Sequence, residues 1–277
     1  MTETKFPARL HVLVPTNSAN ALVIRRGPSR ETCVLSWDTT NDRFAVTQWL
    51  KGRIYERRSD ISPDGKFWIY FAMNGHWKSK TKGSWTAIAR APWLKAISLF
   101  AKGDCWHGGG LFLGNRSYWL NNGYGHETLA VTSELMSSDP PEGLQYFGGE
   151  CPTIYYNRLM RDGWVCCGRI ENGRHDSRMI FEKPLPRRWT LRKICHAQIG
   201  SPKGKGCYWD EHSLITKSGY ETAFPDWEWA ELINGCITFA KDGNLFRTRI
   251  KSAVELSDVT LIHDFHEYKF ENREAPY

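Results

Sequence analysis

No stretch of this chain approaches the roughly 18 consecutive apolar residues that a membrane-spanning helix needs, so no membrane partner is expected. The opening residues, MTETKFPARLHVLVP, lack a basic segment followed by an apolar run. A secretory leader needs both, so the expected compartment is the cytoplasm. Close-spaced cysteine pairs are missing apart from Cys166–Cys167. Neighbours on a strand face opposite sides, which makes that pair a poor disulfide. The eight cysteines therefore read as free, largely buried thiols in a reducing environment. Catalytic signatures are equally scarce. There is no Gly-x-Ser-x-Gly elbow, and Gly108-Gly109-Gly110 leads into a strand instead of the helix a dinucleotide fingerprint requires. The segment from Gly200 to Gly206 is one residue too short for a phosphate loop and has no Ser or Thr after its lysine. No cofactor is expected. Nor is either charge in great excess: 37 Lys and Arg stand against 30 Asp and Glu, a net +7. That suits an acidic partner but falls short of the field of a dedicated DNA binder.

What the chain does have is aromatic residues and a repeat. A hydrophobic fraction of 41% and thirteen tryptophans mark a folded protein with large planar side chains to bury. Short alternating runs recur: RLHVLVP from Arg9, ALVIRR from Ala21, TCVLSW from Thr32 and RFAVTQW from Arg43. FWIYFAM from Phe67, TIYY from Thr153, WVCCGRI from Trp164, WTLRKI from Trp189 and CITFA from Cys236 continue the series. Such β-branched and aromatic runs, bounded by Gly, Pro, Asn and Asp, read as strands. Pro63-Asp64-Gly65, Asn172-Gly173 and Asp242-Gly243 supply the turns. Helical candidates are few, the best being Glu127 to Ser138; Ala91 to Gly103 is a second. An aromatic run, a Leu, a Gly and a strand–turn–strand recur around Gly52, Gly109, Gly163 and Gly235, spaced 57, 54 and 72 residues apart. One small sheet per repeat is the mark of a radial β-architecture. The expectation is a single all-β domain over residues 1–277, a β-propeller of five or six four-stranded blades. In it, the strand around Leu10–Val14 closes the ring against strands near Val259–Ile262. The long third interval implies either an insertion at Ile199–Ser213 or a degenerate blade.

SPDGKFWIYFA at Ser62–Ala72 and FAKDGNLFR at Phe239–Arg247 carry a family resemblance. They are similar to the strand–turn–strand cores of TolB-type, WD40-like bacterial propeller repeats. The resemblance implies the propeller fold and a bacterial origin. It implies no particular activity, because propellers serve many functions.

Three kinds of site are candidates. For a metal, Cys105 and His107, His263 and His266, and Cys195, His196 and His212 are possible ligands. They lack the four-ligand spacing of a structural zinc site, so no metal is expected. For glycoside chemistry, Asp226, Glu228 and Asp104 are the carboxylates to test, with Trp227 and Trp229 as sugar-stacking faces. For recognition, basic residues interleave with aromatics: Trp77, Lys78, Lys80 and Lys82; Arg187, Arg188, Trp189 and Arg192; and Lys203 and Lys205. Lysine and arginine beside exposed tryptophan suit an acidic protein surface or a nucleic-acid strand. The preferred reading is a non-catalytic protein-binding propeller that docks a partner on one loop face, for instance an immunity protein antagonising a toxin or effector. A carbohydrate-active enzyme and a nucleic-acid-binding propeller are the alternatives.

Overall fold

Alternating apolar and polar residues become strands over much of the chain. The computed structural model describes residues 7–27, 30–173 and 175–277. Strand makes up 49% and helix 5%, so the fold is all-β. The strands lie in five separate sheets among the described residues, none of them closed.

The first sheet takes β1 (Arg9–Leu13), β2 (Asn20–Arg26), β3 (Glu31–Asp38) and β4 (Arg43–Lys51) in chain order. The second is a meander of β5 (Arg53–Ile61), β6 (Phe67–Met73), β7 (Ser84–Arg90) and β8 (Ala96–Ala101). Four short strands follow: β9 (Gly110–Phe112), β10 (Ser117–Leu120), β11 (Glu127–Ala130) and β12 (Met136–Ser137). Of these, β11 joins the second sheet beside β8, while β9, β10 and β12 form the third. Helix α1 (Pro152–Arg161) precedes the fourth sheet. That sheet comprises β13 (Val165–Glu171), β14 (Asp176–Pro184), β15 (Thr190–Gln198), β16 (Tyr208–Ile215) and β17 (Glu221–Phe224). The last comprises β18 (Trp229–Ile233), β19 (Cys236–Lys241), β20 (Asn244–Arg249) and β21 (Thr260–Asp264).

Several local expectations need correction. Glu127–Ser138 forms β11 and β12, not a helix, and Ala96–Ala101 is β8. The helix lies where TIYY suggested a strand. Pro152 opens it, in the first-turn position where a missing N–H costs nothing. The interval of uneven length holds one five-stranded sheet, and Tyr208–Ser213 belongs to its strand β16. The strands expected to pair at Leu10–Val14 and Val259–Ile262 have β2 and β20 as their observed neighbours.

The chain divides into two compact units, Val12–Arg158 with Lys269–Tyr277, and Met1–His11 with Leu159–Tyr268. In the larger unit, Leu22, Ile24, Val34, Ile54, Trp68 and Ala87 pack into one apolar cluster. Its aromatic tips are satisfied: Trp68 Nε1 donates to the Trp93 carbonyl at 2.7 Å and the Tyr70 hydroxyl to that of Leu94 at 2.6 Å. Burying the rings therefore leaves no polar atom stranded. The smaller unit is built around an aromatic stack. Trp227 lies between Phe224 and Phe239, with centroids 4.0 and 3.9 Å away, and Phe246 continues the row 5.4 Å beyond Phe239.

Candidate functional site

The second and third sheets of the larger unit converge on a buried guanidinium. Strand β5 reads RIYERRSDI, and its charged half, Arg57 to Asp60, is buried. Arg58 Nε donates to Cys151 Sγ at 3.3 Å, and its Nη1 to the carbonyls of Cys105 and His107 at 2.7 and 2.6 Å. Its Nη2 meets Glu150 at 3.1 Å. The faces of Tyr55 and Phe71 lie 4.8 and 4.7 Å from its carbon. A buried arginine is tolerable only when its donors are filled, as here. Gly109 makes room for it: a Cβ there would lie 1.8 Å from the Arg58 carbonyl oxygen, and its φ of 73° already favours glycine. Cys105 Sγ faces Glu150 at 3.6 Å, and burial, then that carboxylate, pushes the Cys105 thiol up. A thiol held protonated is a weak nucleophile. The node is an anchor.

Three loops are fastened above it. His107 and Gly108 belong to the loop between β8 and β9, which pairs with the loop after β10 through Gly108 N–H to Asn121 O and Asn121 N–H to Gly109 O, both 3.0 Å. A chain of side chains adds to this. The Gly109 N–H donates to Thr86 Oγ1 at 2.9 Å, Thr86 Oγ1 lies 3.2 Å from His126 Nε2, and His126 Nδ1 lies 2.7 Å from Asn122 Oδ1. Burial, and then the Lys102 charge, lower the His126 pKa to about 4, so the ring is neutral at pH 7. A neutral ring with its proton on Nδ1 satisfies both contacts. From the loop between β6 and β7, Lys82 reaches Glu127 of β11 at 2.6 Å. Lys102 holds Asp104 at 3.1 Å, and the His107 ring meets Tyr124 edge-on at 5.0 Å.

The fastened loops carry exposed aromatic rings. Trp77 is 55% exposed, Trp106 52% and Tyr124 85%. The Trp77 ring lies over Gly83, where a Cβ would come within 2.5 Å of it. Lys78 and Lys80 are exposed beside Trp77, and neither has an ion-pair partner among the described residues. Large rings held in water by a rigid base are the features of a recognition surface.

The predicted residues divide between the two units. Trp77, Lys78, Lys80 and Lys82 lie in the loop just described, in turns and not on alternating strand faces. The others lie in the smaller unit. Arg187 and Arg188 are exposed in the turn before β15, both with positive φ. Trp189 corrects its expectation as an exposed anchor: it is 4% exposed and donates through Nε1 to the Ser252 carbonyl at 2.9 Å. Arg192 is engaged by Glu182 and by Glu221, each at 2.7 Å. Lys203 is exposed and Lys205 half-buried in the loop between β15 and β16.

The candidate carboxylates are also dispersed. Asp226 pairs with Lys241 at 3.4 Å, and Glu228 accepts the Leu10 N–H at 3.1 Å, both in the smaller unit. Asp104 lies in the larger one, where its Oδ1 accepts the Trp106 N–H at 2.8 Å. Trp227 and Trp229 are buried and present no face to a sugar.

No group of three or more His, Cys, Asp or Glu is placed to hold a metal among the described residues. His263 contacts the Tyr268 hydroxyl and His266 contacts Asp264. His196 stacks on Trp209, His212 meets the Trp227 carbonyl and Cys195 is buried.

Trp106, Tyr124 and Arg58 are absent from the residues that the sequence pattern singles out. A signal did exist for the two rings: each sits among glycines, Gly103 and Gly108 or Gly123 and Gly125, with no alternating strand to bury it. A search of known protein families finds none that matches this chain, and a search of curated proteins finds no match either.

Proposed function

We propose that this chain is a non-catalytic recognition protein whose loop cluster, with Trp77, Trp106 and Tyr124 at its surface, docks a protein with an acidic face. The observation that carries the reading is the combination of these rings, exposed yet backed by filled hydrogen bonds, with the charges of Lys78 and Lys80, unpaired among the described residues. Tryptophan and tyrosine anchors held in place before binding lose little side-chain freedom on docking. Lysines at the edge speed the encounter with an acidic partner more than they tighten the complex. The reading includes a propeller, with the five sheets as its blades. Support comes from their order, since the first, fourth and fifth sheets and the main part of the second run as simple meanders.

Capture of the tagged full chain from its native cells, after nuclease treatment, tests the reading. A stoichiometric acidic protein is expected with the wild-type chain and is lost with Trp106→Ala or with Lys78→Glu combined with Lys80→Glu. Recovery of no such protein, or equal recovery by the variants, contradicts it.

A further inference from the structure

A second site, separate from the loop cluster, lies in the larger unit. A cleft of about 800 Å³ opens between the start of β2, the turn joining β5 to β6, the end of β7 and the turn joining β9 to β10. That volume falls within the ~300–1,000 Å³ typical of small-ligand pockets. Its walls are tied together. The Ser62 hydroxyl bonds Asp64 at 2.7 Å and receives the N–H groups of Lys66 and Phe67 at 3.1 and 3.0 Å. The Asp64 N–H donates to Asn115 Oδ1 at 3.1 Å, joining the two turns. The Ala91 N–H donates to the Lys66 carbonyl at 2.8 Å. The Ser-Pro-Asp-Gly turn is thus one fixed wall of a cavity as well as a hairpin connection.

The charges in this cleft are unevenly used. Arg90 gives Nη2 to Glu134 at 2.5 Å, and the rest of its guanidinium stays partly open to the cleft, its side chain 42% exposed. Arg116 is exposed and has no ion-pair partner among the described residues. Lys66 reaches Asp64 only at 3.7 Å. Leu22 and Phe67 supply apolar wall beside Asn20 and Ser36, which can both donate and accept.

We propose that this cleft binds a small hydroxylated organic anion, its phosphate or carboxylate held by the guanidinium groups of Arg116 and Arg90 on the cleft wall. Guanidinium groups suit both anions because their donors lie in a plane that matches paired oxygens. The hydroxyls of such a ligand find acceptors in Asp64 and Glu134 and partners in Asn20 and Asn115.

Three probes with one carbon skeleton separate the possibilities: glucose 6-phosphate, gluconate and neutral glucose. Each is titrated into the isotope-labelled full chain while the amide signals of Gly65, Lys66 and Asn115 are followed by NMR. Saturable shifts with a Kd below about 1 mM are expected for at least one of the two anions, with glucose at least about tenfold weaker. Whichever anion binds more tightly identifies the charged group. Arg116→Gln, at an exposed position, should keep the spectrum elsewhere and weaken the anion by about tenfold or more. Lys78→Gln, in the loop cluster, should leave it unchanged. If neither anion moves these amides at about 10 mM, if glucose binds as well, or if Arg116→Gln binds as tightly as wild type, the proposal is overturned.

Discussion

The two units solve the burial problem in different ways. The smaller one stacks rings, with Phe224, Trp227, Phe239 and Phe246 in a row whose members need nothing from distant chain beyond contact. Both bury charge, Lys193 beside the Trp164 ring in the smaller unit and Arg58 in the larger, but Arg58 is also enclosed by acceptors from two separate segments, Cys105 with His107 and Glu150 with Cys151. Aromatic stacking is forgiving, since a ring can shift slightly and keep most of its contact energy. A buried guanidinium is not, because each unfilled donor costs about 1–3 kcal/mol. Arg58 ties down the loop that carries Trp106 and His107, the region proposed above for recognition.

The contrast can be broken most severely at Gly109. Gly109→Ala drives a methyl into the Arg58 backbone at a positive φ, so a loss above about 4 kcal/mol is expected, read as the urea unfolding midpoint. Next come the two cores, compared directly. Arg58→Met should cost about 3–5 kcal/mol, because Glu150 and two carbonyls lose their partner. Trp227→Ala should cost about 3 kcal/mol through cavity formation. An Arg58→Met loss below about 1 kcal/mol would mean the charge is not structural, and the contrast would collapse.

Acidification sharpens it further. His126 has its pKa lowered to about 4, against about 6.5 for a free histidine. Between those values the unfolded chain takes up a proton that the folded one refuses. The stabilisation from neutral His126 is therefore complete above about pH 6.5 and is lost as pH falls through about 4. His126→Gln should flatten the fall in unfolding midpoint across that window; an unchanged slope would show that the ring does not fasten the loops. The smallest stability effect is expected at Trp106→Ala, within about 0.5 kcal/mol, because the ring is exposed. A large loss there would turn a recognition residue into a packing residue.

Much of the strand pattern was legible, because alternation is a local property. FWIYFAM from Phe67 corresponds residue for residue to β6, and the turn Ser62–Gly65 is a turn. Helix α1 was misread because TIYY alone, β-branched and aromatic, reads as a strand, while the helical spacing of Thr153, Asn157 and Arg161 shows only over the longer window Pro152–Arg161. Trp189 was misjudged although its strand held the answer. Leu191, Lys193 and Cys195 continue the same buried face, and flanking arginines do not change that alternation. Arg58 was beyond local reading. Its run RRSD resembles solvated charge, and partners 47 to 93 residues away decide otherwise. Exposed rings at Trp106 and Tyr124 fall between these cases, since their glycine-rich surroundings hint at surface position but not at convergence.

Site-specific photo-crosslinking places the partner on the loop cluster or away from it. A photoreactive phenylalanine replaces Trp106 in the full chain, and a control chain carries it at Tyr220, exposed in the smaller unit. In native cells, position 106 should yield one discrete protein adduct, absent from position 220 and abolished by charge reversal at Lys78 and Lys80. Equal adducts from both positions, or none from position 106, would rule out docking on the loop cluster.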